Sequence, residues 1–349
     1  MMSGKIELSY QFVHYGKELD PVKDTLVLDV GMKTVPGVID HHHPDAEREC
    51  TASLIAKSPH LVLDHIKREE IQRKARLRII THRFPDFDAL SSTYLTLKLL
   101  EKGIVDPSME KIARYAKLVD SASLPREIDL PSTPYSILRA LFKRIRKDEE
   151  AANLERANEG LSFMNFLYSK SEEGYDIIQN RLLFSGIERY ERAMRDVEDD
   201  YFNYLSDLNQ SQKVILLLPL STAKGKKKVD GFIVKNPKSF LLKEWAHRDR
   251  ENSLLKEGFT FLMTNFRNKR YILGVDPEKG VNLRGLGDLL NQIEVKKREG
   301  AGRPLKFRWY DGNCPFFNYR IIDSPQDNTS LHHEEVFDAI LHFSQSLGK

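Results

Sequence analysis

Three short apolar runs in the first quarter of the chain each end in an acidic or imidazole side chain. Residues 25–29 end in Asp29, residues 37–40 end in Asp40, and residues 77–81 are followed by His82. Apolar runs of this length are typical of parallel strands that are buried on both faces. Since ligands in α/β folds bind at the carboxyl ends of such strands, the pattern predicts an α/β fold with a polar site at one sheet edge.

The remaining patterns give the domain organisation. Residues 5–13 alternate like a strand, and the helical pattern of residues 89–102 is followed by Gly103, a typical helix stop. Another helical pattern follows Cys50, with Thr51 as its expected N-cap. Since 349 residues are many for one core, we predict an α/β domain with a mainly parallel sheet, a helical connector and a smaller α/β domain. The three parts cover residues 1–125, 126–212 and 213–349.

Composition excludes several classes of protein. The chain has 54 basic and 51 acidic residues and a net charge of +3, which is too balanced for an obligate binder of long duplex nucleic acid. Its two cysteines, Cys50 and Cys314, are far apart, which argues against a thiolate zinc site. The N-terminus has no apolar secretion signal and no run is long enough to span a membrane, so we predict a cytoplasmic protein without a membrane partner.

Two segments contain side chains suited to metal chemistry. One has Asp40, His41 and His42 in succession, and the other spaces His82, Asp86 and Asp88 as His-x-x-x-Asp-x-Asp. Carboxylates and imidazoles bind Mn²⁺ and Mg²⁺, and two such ions about 3.5–4 Å apart activate water for attack on phosphate. Each segment alone has a simpler explanation, as a histidine-rich surface loop or as a helix cap, but three neighbouring clusters favour a site. We find neither a nucleophile-elbow nor a phosphate-loop motif.

These segments resemble the motifs of the DHH (Asp-His-His) phosphoesterase superfamily. Residues 39–42 resemble its signature, residues 81–91 its first motif, residues 26–31 its second motif, and residues 51–55 the helix that follows the signature. The order is permuted here, since the first motif follows the signature. Only eleven positions separate Asp29 from Asp40, so their connection must be short and non-helical.

The resemblance implies a site with two divalent cations, with Mn²⁺ favoured over Mg²⁺. It implies that His42 contacts the scissile phosphate or protonates the leaving oxygen, and that Asp40 orients the site. For the fourth-motif aspartate we choose Asp120, whose alternative role is that of an acid at a helix end. The implied ligands are Asp29, His82 and Asp86 for one cation, and Asp29, His41, Asp88 and Asp120 for the other.

Candidate substrate residues lie near the C-terminus. Arg303 ends a Gly-rich segment and could bind phosphate, although a flexible loop is the simpler interpretation of that segment. A base could stack on Trp309 or Tyr310, with Arg308 or Arg320 at phosphate. The alternative is that these aromatic residues pack in the C-terminal core.

We therefore predict hydrolysis of a phosphodiester in a nucleotide, cyclic dinucleotide or short oligonucleotide. Inorganic pyrophosphatase or polyphosphatase activity is one alternative, since it needs the same cations without a surface for base stacking. A degenerate site that senses a nucleotide without turnover is the other. The predicted partners are a phosphorylated small molecule or short nucleic acid, and a homodimer remains open.

Overall fold

The computed structural model describes residues 6–67, 76–145, 149–178, 180–266 and 269–346, which form two compact units. The first unit extends to Glu198 and includes Cys314–Phe316, and the second contains Asp199–Asn313 and continues from Phe317. The division lies within a helix, Glu188–Gln210, and not at the predicted domain boundary after residue 212. Most of the region predicted as a helical connector therefore belongs to the first unit.

The first unit contains a five-stranded sheet in the order β1-β5-β2-β4-β3. All neighbouring strands are parallel except β3 and β4. The predicted α/β class with a mainly parallel sheet is therefore confirmed for this unit. The strands are β1 (Glu7–Val13), β2 (Thr25–Leu28), β3 (Thr34–Val35), β4 (Val38–Ile39) and β5 (Arg76–His82).

A hairpin connects β2 to its parallel neighbour β4. The chain leaves β2, forms the edge strand β3, and turns at Gly37 into β4. Gly37 has a φ of +91°, and a Cβ atom there would lie 2.7 Å from the His65 ring, so this turn requires glycine. The connection is short and non-helical, as its length predicted. Leu28 pairs with Ile39, so Asp29 and Asp40 follow the two strands in register.

Helices α3 (Phe87–Lys102) and α4 (Pro107–Asp120) of the first unit begin with side-chain caps. Asp86 accepts hydrogen bonds from Asp88 N and Ala89 N at the start of α3, and Asp106 caps α4 in the same way. The prediction of Thr51 as a cap was wrong, because Cys50 holds that position without a side-chain bond. The helices are α1 (Thr51–Lys57), α2 (His60–Leu63), α3 (Phe87–Lys102), α4 (Pro107–Asp120), α5 (Pro134–Lys143), α6 (Glu149–Glu172) and α7 (Glu188–Gln210), which continues into the second unit.

The second unit contains another five-stranded sheet, in the order β10-β9-β8-β7-β6. Here the neighbours are antiparallel except for the parallel pair β7 and β8. The strands are β6 (Gln212–Pro219), β7 (Lys226–Lys235), β8 (Phe261–Phe266), β9 (Arg270–Val275) and β10 (Ile321–Asp323).

Helices cover both faces of the second sheet. Alternate residues of β7 point to opposite faces, so Ile233 packs in one core and Phe232 in the other. Leu290 of α9 (Leu286–Gly300) and Phe343 of α10 (His333–Ser346) belong to the first of these cores. The C-terminal part of α7 and helix α8 (Leu242–Arg248) belong to the second. Short 3-10 helices occupy Leu130–Ser132, Arg181–Leu183 and Pro277–Lys279. Within the described ranges, every helix is too short or too polar to cross a membrane.

Candidate metal centre

The first unit brings together all eight of the predicted ligand and catalytic residues. Asp29 follows β2, the Asp40–His42 segment follows β4, and His82 ends β5. Asp86 and Asp88 lie at the start of α3, and Asp120 is the last residue of α4. Their ligand atoms form three groups, each with all its atoms within 4.8 Å of one another: Asp29, Asp40, His41 and His42; Asp29, His82 and Asp86; and His41, Asp88 and Asp120. Their metal-binding roles stay predictions.

Asp29 lies between two sets of histidines. Its Oδ2 is 3.2 Å from His82 Nε2, whereas its Oδ1 is 3.4 Å from His41 Nδ1 and 3.8 Å from His42 Nδ1. Its backbone has a φ of +60°, and its N–H donates to Ile39 O over 2.9 Å. The buried carboxylate of Asp29 therefore presents one oxygen atom to His82 and the other to His41 and His42.

The His82 ring is oriented by the backbone. Its Nδ1 lies 2.8 Å from Arg83 O, and a carbonyl can only accept, so Nδ1 carries the proton. Nε2 then faces Asp29 and lies 3.7 Å from Asp86 Oδ1. A backbone carbonyl behind one imidazole nitrogen is the usual support of a histidine that binds metal through the other nitrogen.

The Asp86 carboxylate makes two kinds of contact, one with the start of α3 and one with the candidate metal ligands. It caps α3 through Oδ1, and the same carboxylate lies in the group with His82 and Asp29. Its side chain is 48% exposed, while that of His82 is fully buried. The capping role is therefore observed, and it leaves the carboxylate beside His82 and open to solvent.

His41, Asp88 and Asp120 form the second buried group. His41 Nε2 and Asp120 Oδ2 are 3.2 Å apart. Asp88 accepts hydrogen bonds from Thr51 N over 2.8 Å and Ala52 N over 3.0 Å, so the first turn of α1 fixes its carboxylate. Oxygen and nitrogen atoms that face one another at this distance suit a shared cation.

Asp40 holds His42. Its Oδ1 lies 2.6 Å from His42 Nδ1, and its Oδ2 accepts from Met32 N over 2.6 Å. Burial raises the pKa of Asp40, but the charge and hydrogen bond of His42 outweigh burial and leave that pKa well below its usual range. Asp40 therefore remains ionised and fixes the orientation of the His42 ring.

Charges in the cluster perturb several pKa values. Burial lowers the pKa of His41, but the nearby Asp120 and Asp29 carboxylates outweigh burial and raise that pKa well above its usual value. Burial likewise lowers the pKa of His82, and Asp86 and Asp29 raise it to a greater extent. Burial and the charges of Asp29 and Asp120 together raise the pKa of Asp88. These shifts have one cause, namely several carboxylates buried close together.

Three residues at the cluster were not predicted as site residues. The Thr51 hydroxyl donates to Asp29 Oδ1 over 3.1 Å and lies 3.2 Å from His41 Nδ1. Tyr15 stacks on His82 with ring centroids 4.2 Å apart, and its hydroxyl lies 3.2 Å from His82 Nε2. The edge of Phe316 packs on His41, with centroids 4.8 Å apart. Only Thr51 had a sequence signal, since it begins the helix that follows the Asp-His-His segment.

The predicted substrate residues all lie in the second unit. The stacking role of Trp309 was wrong, because its side chain is only 3% exposed and packs in the core, where Nε1 donates to Glu294 over 3.2 Å. Arg303 and Arg308 are exposed, and Arg320 Nε donates to Phe317 O over 2.8 Å. The phosphate-binding roles of the three arginines stay predictions.

Comparison of the chain with family models, curated proteins and solved structures finds no match. The resemblance to DHH phosphoesterases therefore stays a prediction from the sequence motifs.

Proposed function

We propose that the first unit binds two divalent cations at the carboxyl edge of its sheet and hydrolyses phosphoester bonds. The position of Asp29 is the observation that carries this proposal. Its two carboxylate oxygens face different histidines, His82 on one side and His41 on the other. A carboxylate in that position is suited to bridge two cations.

The chemistry of the side chains fits such a pair of ions. Burial and the charges of Asp29 and Asp120 raise the pKa of Asp88. Burial of like charges is costly unless positive charge compensates it. Carboxylate oxygens and imidazole nitrogens together favour Mn²⁺, with Mg²⁺ as the alternative. Since cations and protons compete for the same ligand atoms, binding should release protons.

The proposed ligands divide into two sets that share Asp29. His82 and Asp86 complete one set, and His41, Asp88 and Asp120 complete the other. When bound, the cations would lower the pKa of a coordinated water and neutralise charge on the substrate phosphate. Thr51 would hold the bridging carboxylate in place through its hydroxyl group.

His42 is the proposed proton donor. Asp40 holds its Nδ1, so Nε2 would hydrogen-bond to a phosphate oxygen or transfer a proton to the leaving oxygen. Its side chain is 13% exposed, whereas that of His41 is fully buried. His42 is thus the histidine of the Asp-His-His segment that a substrate can reach.

Two substrate classes follow from different observations. A nucleotide, cyclic dinucleotide or short oligonucleotide is supported by the family resemblance and by the exposed side chains of Arg303 and Arg308. Burial of Trp309 removes its indole ring from that argument. The burial favours the second candidate, hydrolysis of inorganic pyrophosphate or polyphosphate, which needs no base contact.

A hydrolysis panel with Mn²⁺ or Mg²⁺ tests both candidates. The substrates are pyrophosphate, mononucleotides, cyclic dinucleotides and short RNA and DNA. Asp86→Asn is a sharper variant than Asp86→Ala, because asparagine also caps helices and α3 should keep its N-cap. We expect cation-dependent turnover that Asp86→Asn abolishes and that Asp45→Asn, a change at an exposed acid, leaves intact. Ligand binding without turnover in either ion would contradict the proposal and favour the nucleotide-sensing alternative.

A further inference from the structure

A cavity of about 290 Å³ opens in the second unit, at the carboxyl ends of β7 and β8. These two strands are the parallel pair of the sheet that the structure describes. Lys235 ends β7, Asn265 lies near the end of β8, and His333 begins α10. Lys269 and Tyr271 also line this cavity. Carboxyl ends of neighbouring parallel strands are a frequent place for ligands, so the chemistry of these side chains decides what could bind there.

Two side chains of the cavity, Tyr271 and His333, accept hydrogen bonds from Asn265, and each therefore keeps a proton that it can donate to a ligand. Its Nδ2 donates to the Tyr271 hydroxyl oxygen over 3.1 Å and lies 3.3 Å from His333 Nδ1. An amide nitrogen can only donate, so Nδ1 of His333 accepts and the neutral ring carries its proton on Nε2. The Tyr271 oxygen is also an acceptor in this network, which leaves its own proton to be donated elsewhere. The Tyr271 side chain is only 1% exposed, so the cavity wall holds a buried donor.

Positive charge dominates the same cavity. The Lys235 and Lys269 side chains are exposed at its rim, and the only acidic residue that lines it in the described ranges is Glu334. Burial and the charge of Lys235 lower the pKa of His333, while Glu334 acts in the opposite direction without reversing the shift. Two ammonium groups, a tyrosine hydroxyl and an imidazole N–H make a set of donors that suits an anion with several acceptor oxygens.

We propose that this cavity binds the phosphate group of a small molecule, at a site separate from the metal ligands. A second cavity of about 570 Å³ shares Lys235, His333 and Glu334 with the first. Its added volume could hold the rest of a phosphate monoester, such as a nucleoside. Free phosphate and a nucleoside monophosphate present the same dianionic group, and both are therefore probes for this site.

Isothermal titration calorimetry of the full-length chain tests the proposal. EDTA is included so that phosphate cannot bind through cations at the candidate metal centre. The probes are inorganic phosphate and AMP, with adenosine as the uncharged control. We expect phosphate and AMP to bind and adenosine not to bind. Lys235→Gln and Lys269→Gln should each weaken binding about tenfold, the usual effect of losing one charge-assisted hydrogen bond.

Two further variants distinguish a loss of phosphate binding at the cavity from a loss caused by misfolding. Glu334→Gln removes the carboxylate from the cavity and should tighten binding several-fold, a gain that misfolding cannot produce. Lys296→Gln changes an exposed lysine of α9 outside the cavity and should leave binding unchanged. The proposal is overturned if neither phosphate nor AMP binds. It is also overturned if adenosine binds as tightly as AMP, or if both cavity lysines can be replaced without effect.

Discussion

Both units bury carboxylates, and the surroundings of these groups differ. In the second unit, Glu294 accepts hydrogen bonds from Arg298 Nε over 2.7 Å, from Trp309 Nε1 over 3.2 Å and from Ser330 N over 2.8 Å. Asp230 likewise accepts from two backbone N–H groups. In the first unit, burial and the nearby charge of Asp29 raise the pKa of Asp88.

The difference separates a structural acid from a candidate ligand. The protein itself supplies the donors for Glu294, and these hydrogen bonds outweigh burial and lower its pKa. In the first cluster, Asp29 and Asp88 also accept hydrogen bonds, but several carboxylates are buried close together, and positive charge would offset the repulsion between them. Burial of an acid alone therefore does not mark a candidate metal ligand, whereas burial beside other carboxylates does.

The largest expected effect comes from Asp29→Asn. Asparagine keeps the size of the side chain but removes the charge needed to bridge two cations. We expect hydrolysis in Mn²⁺ to fall by at least about 10³-fold, the upper end for the loss of one electrostatic contact to a transition state. Thermal unfolding without added metal should give an unchanged or higher midpoint, since repulsion with Asp88 is relieved.

The opposite result would place Asp29 with the structural acids. A lower unfolding midpoint together with retained Mn²⁺-dependent activity would show that the carboxylate stabilises the fold and binds no catalytic cation.

Glu294→Ala should lower the stability of the fold, in contrast to Asp29→Asn. The variant leaves Arg298, which is only 5% exposed, without its buried carboxylate partner. We expect a loss of about 3 kcal/mol in the free energy of unfolding, as for other broken buried ion pairs. Urea unfolding measures this loss, and Glu299→Ala, at an exposed acid of the same helix, is the control. Unchanged stability would contradict the structural assignment of Glu294.

The smallest effect is a pH dependence of stability. Burial raises the pKa of Glu294, but hydrogen bonds from Thr329 and Arg298 outweigh burial and hold the folded-state pKa below the usual 4.5. A group with a lowered folded-state pKa adds stability above its unfolded pKa, and that stability disappears as the pH falls through the folded value. The difference in unfolding free energy between wild type and Glu294→Gln should therefore shrink below about pH 4.5. A difference that grows on acidification would show that the pKa is raised.

The sequence predicted the first sheet and its polar edge with few errors. Apolar runs that end in Asp29, Asp40 and His82 were sufficient, because the strands are short, buried and parallel. Asp120 also lies at the cluster, as the motif resemblance implied.

Long-range contacts decided the features that the sequence did not predict. The Tyr15 contact depends on the pairing of β1 with β5, which places Val13 beside His82. Trp309 follows the exposed Arg308 in the sequence, and its burial results from packing against α9 and the second sheet. Neither pairing nor packing of this kind is visible in local periodicity.

The left-handed backbone of Asp29 limits how this position can vary. With a φ of +60°, the residue adopts a conformation that asparagine, aspartate and glycine tolerate far better than other amino acids do. A saturation library at codon 29 would therefore mix two penalties, one from the lost carboxylate and one from backbone strain. Only the asparagine clone would report on the charge of the carboxylate alone. Glutamate, although it keeps the charge, should score among the poor replacements.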